Sequence, residues 1–302
     1  MVKTGQAAPG IRRVRFIPPG PDVADIEVNT LAGIRERGGA REFLTSQRLD
    51  FDLIVRVEHG AATHTVDFTD HRLGPGDLLW VHAGQVHQWG RIEDIEGPVV
   101  LFGPHTLDAP TRELVRAHVV RPRSHWPADD LAGSPVGLAL DLLVASAHAD
   151  PGDPRDLRQA TLGLALAALV THLTLVGSAA RAPAALPTHE AYAWFRNHIE
   201  EHFRSWHQVG EYAERLGYSS RTLNRLARRH TGLTAKQLID ERIALEAKRL
   251  LSHADDPVSE VGRELGFEDA SNFSSWFGKQ AGMTPGAFRT WSRGGTSRSG
   301  AP

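Results

Sequence analysis

The C-terminal third of the chain writes one small unit twice, and that repeat constrains the fold more than any other feature. The first copy reads Ala213, Gly217-Tyr218, an apolar-spaced run through Leu223 and Leu226, then Thr231-Gly232-Leu233-Thr234. The second reads Gly262, Gly266-Phe267, Phe273 and Phe277, then Ala281-Gly282-Met283-Thr284. The small residue, the glycine and the aromatic recur at an offset of 49 and the closing Gly-x-Thr at 50, so one residue is inserted in the second copy. A small side chain lets two helices cross closely, and a glycine four positions on relaxes the turn between them, as a helix-turn-helix requires. Two copies in register say far more than one.

Charge is distributed to suit that reading. The chain of 302 residues has a net charge of -2, yet Ser219 to Arg249 carries eight basic residues against three acidic. Positive charge therefore gathers at the first copy, where a phosphate-binding surface needs it. The absence of cysteine removes disulfides, thiolate metal sites and a cysteine nucleophile, and fits a reducing cytoplasm. Met1 to Gly20 has no apolar core of signal-peptide length and reads as irregular. The longest apolar run, Leu162 to Val176, is interrupted by Gly163, Thr171, His172 and Thr174. It reads as too short and too polar to span a bilayer, so no membrane partner is expected.

Between Val23 and Phe102 the pattern changes to period two. Phe51, Leu53, Val55 and Val57 alternate with Asp52, Ile54, Arg56 and Glu58, and His64, Val66 and Phe68 alternate with Thr65, Asp67 and Thr69. Turn residues separate the runs, which predicts antiparallel β-structure with Leu53, Val55, Val57, Val66, Phe68, Leu79 and Val81 facing inward. His59, His64, His71 and His82 read as strand-end or surface histidines. Helical spacing follows at Arg112–Val119, Val136–Ala147 and Arg155–Leu175, then an unpatterned Ala/Pro stretch from Gly177 to Pro187.

Gly76-Asp77, Gly84 and His87 resemble the second motif of the cupin-like sensor domain of AraC-type regulators, with His82 in place of a proline. Where the first cupin motif should supply histidines and a glutamate stand Gln47, Arg48, Leu49 and Leu53. A metal needs several imidazoles and a carboxylate converging, so no metal and no cofactor is expected. A barrel without its metal still has an interior that can hold one small ligand. Arg48, His82, His87 and Trp89 are the candidate effector contacts.

The C-terminal region resembles the AraC/XylS signature through Gly266-Phe267, Ser271, Phe273, Phe277, Gly282, Thr284-Pro285, Phe288 and Arg289, supported by Ala213, Ser219, Leu223, Arg225, Gly232 and Arg242. Gly262 departs from the usual alanine, and Ser275 and Gly278 stand where basic residues are common. Leu223, Leu226 and Ala227 point inward, which turns Arg221, Asn224, Arg225 and Arg228 outward beside Ser220. Arginine can read guanine bidentately and asparagine adenine. Carried over residue by residue, the second reading face is Ala270, Ser271, Asn272 and Ser275, with Lys279 following.

The expected fold is α+β and multidomain: a cupin-like β-barrel over 1–105, accessory or dimerisation helices over 106–176, a linker over 177–187, an all-α double helix-turn-helix domain over 188–292, and a flexible tail over 293–302. The expected function is a non-enzymatic, sequence-specific transcriptional regulator, working in the cytoplasm as a homodimer on promoter DNA. A small-molecule effector would modulate it, and RNA polymerase is a further candidate partner. The alternatives are a barrel that serves only dimerisation, or a cupin enzyme fused to a DNA-binding module.

Overall fold

A computed structural model describes residues 12–16, 25–38, 45–119, 123–148, 154–179, 188–253 and 256–293. The chain divides into two compact units, one within Arg12–Ala184 and one within Ala185–Pro302.

The first unit begins with β1 (Arg12–Val14), β2 (Ile26–Thr30), α1 (Leu31–Gly38), β3 (Gln47–Leu49), β4 (Asp52–Arg56), β5 (His59–Gly60) and β6 (Ala62–Val66). It continues through β7 (Thr69–Leu73), β8 (Leu78–Val81), β9 (Val86–Trp89), β10 (Ile95–Glu96), β11 (Pro98–Phe102), α2 (Ala109–His118) and β12 (His125–Trp126). It ends with α3 (Ala128–Leu131), α4 (Val136–Ala147) and α5 (Arg155–Ala179). Two five-stranded sheets form, in the orders β1-β3-β9-β6-β7 and β12-β8-β4-β11-β2, with β10-β5 as a separate pair.

The inward faces of both sheets share one core, including Leu49, Leu53, Val55, Val57, Val66, Leu73, Leu79, Val81, Trp89, Val99 and Leu101. The second sheet is also covered on its other face. Ile54, Leu78, Trp80, Val100 and Phe102 pack against Leu140 and Leu143 of α4 and Leu166, Leu169, Val170 and Leu173 of α5. Double-sided burial explains why Leu78–Val81 and Pro98–Phe102 are apolar throughout rather than alternating.

Five expectations change here. Arg12–Val14, within the stretch expected to be irregular, forms a strand parallel to Gln47–Leu49. His125–Trp126 pairs with Leu78–Leu79, so the second sheet reaches past residue 105, and α4 and α5 share its core. Phe68 does not line the interior, because Asp67 and Phe68 take positive φ (44° and 69°) at the β6–β7 turn. Val66 is therefore the last inward residue of its strand. The apolar run at Leu162–Val176 lies in a helix of 25 residues, long and apolar enough by length and composition to cross a membrane. Its Leu162, Ala165, Leu166, Leu169, Val170 and Leu173 are instead buried in the core beneath the second sheet. That helix runs on through Ala179, so the expected linker begins later, and residues 180–187 lie outside the described residues.

The second unit comprises α6 (Thr188–His202), α7 (Val209–Leu216), α8 (Ser220–Thr231), α9 (Ala235–His253), α10 (Val258–Glu264), α11 (Ala270–Ala281) and α12 (Pro285–Arg293). Arg293 thus closes a helix, and the rest of the expected tail, 294–302, lies outside the described residues. Each repeat is a helix pair, α7–α8 and α10–α11. Gly217 (φ 68°) and Gly266 (φ 80°) leave their helices in the left-handed conformation the turn needs. The second helix of each pair starts on a capping side chain. Ser219 accepts from the Thr222 N–H at 3.1 Å and Asp269 from the Asn272 N–H at 2.7 Å. Each ends on a left-handed glycine, Gly232 or Gly282.

The helix between the pairs, α9, has 19 residues and so spans roughly 28 Å. Its Ile239, Ile243, Ala247, Leu250 and Leu251 are buried. On it, Glu246 is 1% exposed and takes Arg242 at 3.3 Å, Arg249 at 3.4 Å and Arg204 at 3.1 Å. A buried carboxylate persists only with such compensation, and here three cations supply it.

Candidate nucleic-acid interface and barrel interior

The amphipathic rule fixes what α8 presents. Leu223, Leu226 and Ala227 are buried, which leaves Ser220, Arg221, Arg225, Arg228 and Arg229 exposed along the other side. The cap at Ser219 frees the first turn of the helix, where residues that enter a major groove sit. Arg229, which the sequence reading did not single out, extends the cationic face.

Asn224 behaves differently from its arginine neighbours. Its amide donates to the Ser220 carbonyl at 3.0 Å and accepts from the Ala235 N–H at 3.0 Å. The side chain thereby caps the first turn of α9 and stitches α8 to it. In this structure it is not presented as a free base-reading group, because both faces of its amide are taken by backbone.

On α11 the buried residues are Phe273 and Phe277. Ser271, Asn272, Ser275 and Lys279 are exposed, and Ala270 is half-buried. The Asn272 amide donates to Asp269 at 2.6 Å, which reinforces the cap. Trp276 sends its indole N–H to Asp240 of α9 at 3.1 Å, and Lys236 meets the same carboxylate at 2.5 Å. The second pair is thus tied to the connecting helix by a polar bond as well as by packing.

Gly262 also acquires a reason. A Cβ built on it would lie 3.0 Å from the Cβ and 3.1 Å from the Cγ of Phe273. The first repeat has Ala213 and Leu223 at the matching places, so the larger aromatic goes with the smaller partner.

The four candidate effector contacts do not converge. Arg48 donates from its Nε to the Gly84 carbonyl at 3.0 Å and straps the motif loop. His82 lies tilted against Trp80 (centroids 4.3 Å apart), approaches Asp52 at 3.3 Å and meets the Arg123 carbonyl at 3.3 Å. Trp80 belongs to the helix-facing core, and strand alternation places His82 on that same side, away from Leu79 and Val81. Only His87 and Trp89 occupy the interior, at 1% and 5% exposure.

His64 joins them. It is buried, not superficial, with its Nε2 3.0 Å from the His87 Nδ1 and its ring edge-on to Trp89 at 4.3 Å. The pattern contained this signal: His64 alternates in phase with Val66, which faces inward. Burial pushes the His87 imidazole down to about 3, although Asp67 partly opposes it. His64 is held well below the usual histidine range by burial, then by His87 and His71. Both rings are therefore neutral at ordinary pH. The His64 Nδ1 and the His87 Nε2 have no hydrogen-bond partner. Among the described residues, no group of three or more His, Asp or Glu side chains is placed to hold a metal ion.

Two sheets around a common interior, joined in one chain to paired helix-turn-helix units with a cationic outer helix, define a DNA-binding transcriptional regulator with a ligand-binding domain. A family model described as an AraC-like ligand binding domain matches residues 30–186, and one described as a helix-turn-helix domain matches residues 212–290. The chain belongs to the AraC family. It is similar to the HTH-type transcriptional activator RhaS of Escherichia fergusonii, 28% identical over 249 residues, covering 80% of this chain and 85% of that protein. It is also similar to RhaS of Salmonella arizonae, 26% identical over 244 residues, covering 78% and 84%. Among solved structures, unsaturated fatty acid-bound ToxT of Vibrio cholerae is 11% identical, covering 88% of this chain and 95% of that one, with a TM-score of 0.41. The DNA-binding domain of the global transcriptional factor AdpA, in complex with a target DNA, is 30% identical, covering 37% and 97%, with a TM-score of 0.31.

Proposed function

We propose that this regulator activates transcription from promoters it recognises chiefly through α8, and that a small molecule in the barrel interior tunes its occupancy. The observation that carries the reading is the exposed row Arg221, Arg225 and Arg228 on a helix whose other face is locked into the repeat. Arginines so placed can pair with guanine edges and with phosphates, and Ser271, Asn272, Ser275 and Lys279 of α11 add weaker contacts. Activation is supported by the RhaS relatives, which are activators. It makes RNA polymerase the natural protein partner and the cytoplasm the place of work.

A homodimer forms, in this reading, through α4 and α5. Leu138 is 74% and Leu164 72% exposed, and Leu142, Leu157 and Leu175 are exposed with them, more apolar surface than these helices would leave in water. Effector control then follows from differential binding: a ligand that favours one arrangement shifts how often the DNA-binding unit is productively placed.

The test is a selection from random DNA, followed by footprinting of the winner with and without small-molecule extracts that raise the melting temperature. The expected result is protection of two successive major-groove segments on one face and a change in occupancy with extract. Selection of no consensus would overturn sequence-specific reading. Unchanged occupancy with every stabilising extract would leave the barrel as a dimerisation module.

A further inference from the structure

The interior of the barrel holds a polar feature that the fold itself does not use. The His64 and His87 rings lie nearly parallel, 12° apart in plane, and share a hydrogen bond of 3.0 Å between Nε2 and Nδ1. That contact takes one proton. If His64 donates it, the free His64 Nδ1 is an acceptor and the free His87 Nε2 carries an N–H. If His87 donates it, the roles exchange. In either tautomer the pair offers one donor and one acceptor, and neither has a partner in the folded chain. Buried polar atoms are nearly always satisfied, so these two orphans, one at each outer end of the hydrogen-bonded pair, point to something that enters.

We propose that the His64–His87 pair is the polar anchor of the effector site and takes an uncharged ligand bearing a hydroxyl or carboxamide on an apolar skeleton. The proposal rests on the reading of the barrel interior as the effector site.

Charge disfavours the other classes. Among the described residues, the buried ionised side chains are Asp52, Asp240, Glu246 and Arg249. Asp52 is the one in this unit, and it is bonded to the Trp80 indole on the helix-facing side. A carboxylate entering beside His64 and His87 would meet no buried cation among the described residues, and an ammonium would meet only the part-buried Asp67, already held by Gln85 and the Val86 N–H, so either would lose its hydration with little compensation. A hydroxyl or an amide can either donate or accept, so it satisfies whichever outer nitrogen it reaches in either tautomer. The ring of Trp89, edge-on to His64 and 5.9 Å from His87, offers an apolar wall for the rest of the ligand.

Four probes on one ring decide the matter: benzyl alcohol and benzamide as uncharged arms, benzoate and benzylamine as charged arms. Each is titrated into the full chain by calorimetry up to tens of millimolar, with circular dichroism to verify the fold of every variant. Tenfold or tighter binding of the uncharged arms, weakened at least tenfold by His64→Phe and by His87→Leu, supports the proposal. Benzoate or benzylamine binding as well as the uncharged arms would overturn the ligand class while leaving an effector site in the barrel. Uncharged binding that survives both substitutions would overturn the anchor. Binding of no probe would count against the anchor and against the barrel as an effector site. Should the variants fail to fold, the imidazole nitrogen resonances of the unaltered protein carry the same decision. Shifts at His64 and His87 on adding benzyl alcohol support the anchor, and their absence refutes it.

Discussion

The first helix-turn-helix unit carries Arg221, Arg225, Arg228 and Arg229 on its exposed face, whereas the second offers Ser271, Asn272, Ser275 and a single Lys279. The scaffolds differ in the opposite sense. Around Gly217 nothing lies within 4 Å of a built Cβ, but at Gly266 that Cβ would sit 2.1 Å from the Arg204 carbonyl oxygen. The second unit also packs Phe273 and Phe277 where the first has Leu223 and Ala227. The unit with the poorer reading face is the more tightly built. In the proposed reading the first unit supplies most of the contact with DNA and the second more of the rigid support.

The largest test of this division is in the turns. Gly266→Ala should cost about 3 kcal/mol or more, since a left-handed backbone and a backbone clash act together. Gly217→Ala should cost about 1–2 kcal/mol, for the left-handed conformation alone. Urea unfolding measures both, and equal losses would erase the asymmetry. Next come the reading faces. Arg225→Ala should weaken the cognate complex by about 1–3 kcal/mol, and Ser275→Ala by less than about 0.5 kcal/mol. Affinities on selected and random DNA separate base from phosphate contacts, and a larger loss at Ser275 would reverse the assignment.

Packing gives a finer test. Gly262→Ala should destabilise by about 1–2 kcal/mol through crowding of Phe273. Adding Phe273→Leu rebuilds the Ala/Leu pairing of the first unit, so the double variant should be more stable than the two single losses imply. Strict additivity would break the explanation. Smallest in stability is Asn224→Ala, expected to cost about 1 kcal/mol by uncapping α9. If Asn224 instead reads a base, its loss will appear in DNA affinity and spare the unfolding curve.

Much of the helical unit was legible because its signals are local. The small residue at Ala213, the glycines at 217 and 232 and the apolar spacing through Leu223 and Leu226 all fall where α7 and α8 need them. Asn224 was not legible, since its partner Ala235 is 11 residues away and only the folded contact assigns it. In the first unit the sheet pairing is non-local. Nothing near Arg12 or His125 announces that they join sheets built from residues 26–102. Pattern alone also assumed one solvated face, and so could not foresee α4 and α5 closing over Ile54 and Trp80. His64 was readable and misjudged: its phase with Val66 carried more information than the general habits of histidine.

The carboxylate of Glu246, clamped by three arginines inside the second unit, has a consequence for the DNA rather than for the protein. A connecting helix pinned at that point cannot easily stretch or swivel to follow a poorly spaced site. If both units enter the duplex, as proposed, the promoter must present its two contact segments at a fixed helical phase. Inserting about five base pairs between them, half a turn of the duplex, would carry one segment to the far side. In that arrangement the protein would read partly an interval, kept by a buried charge that touches no nucleotide.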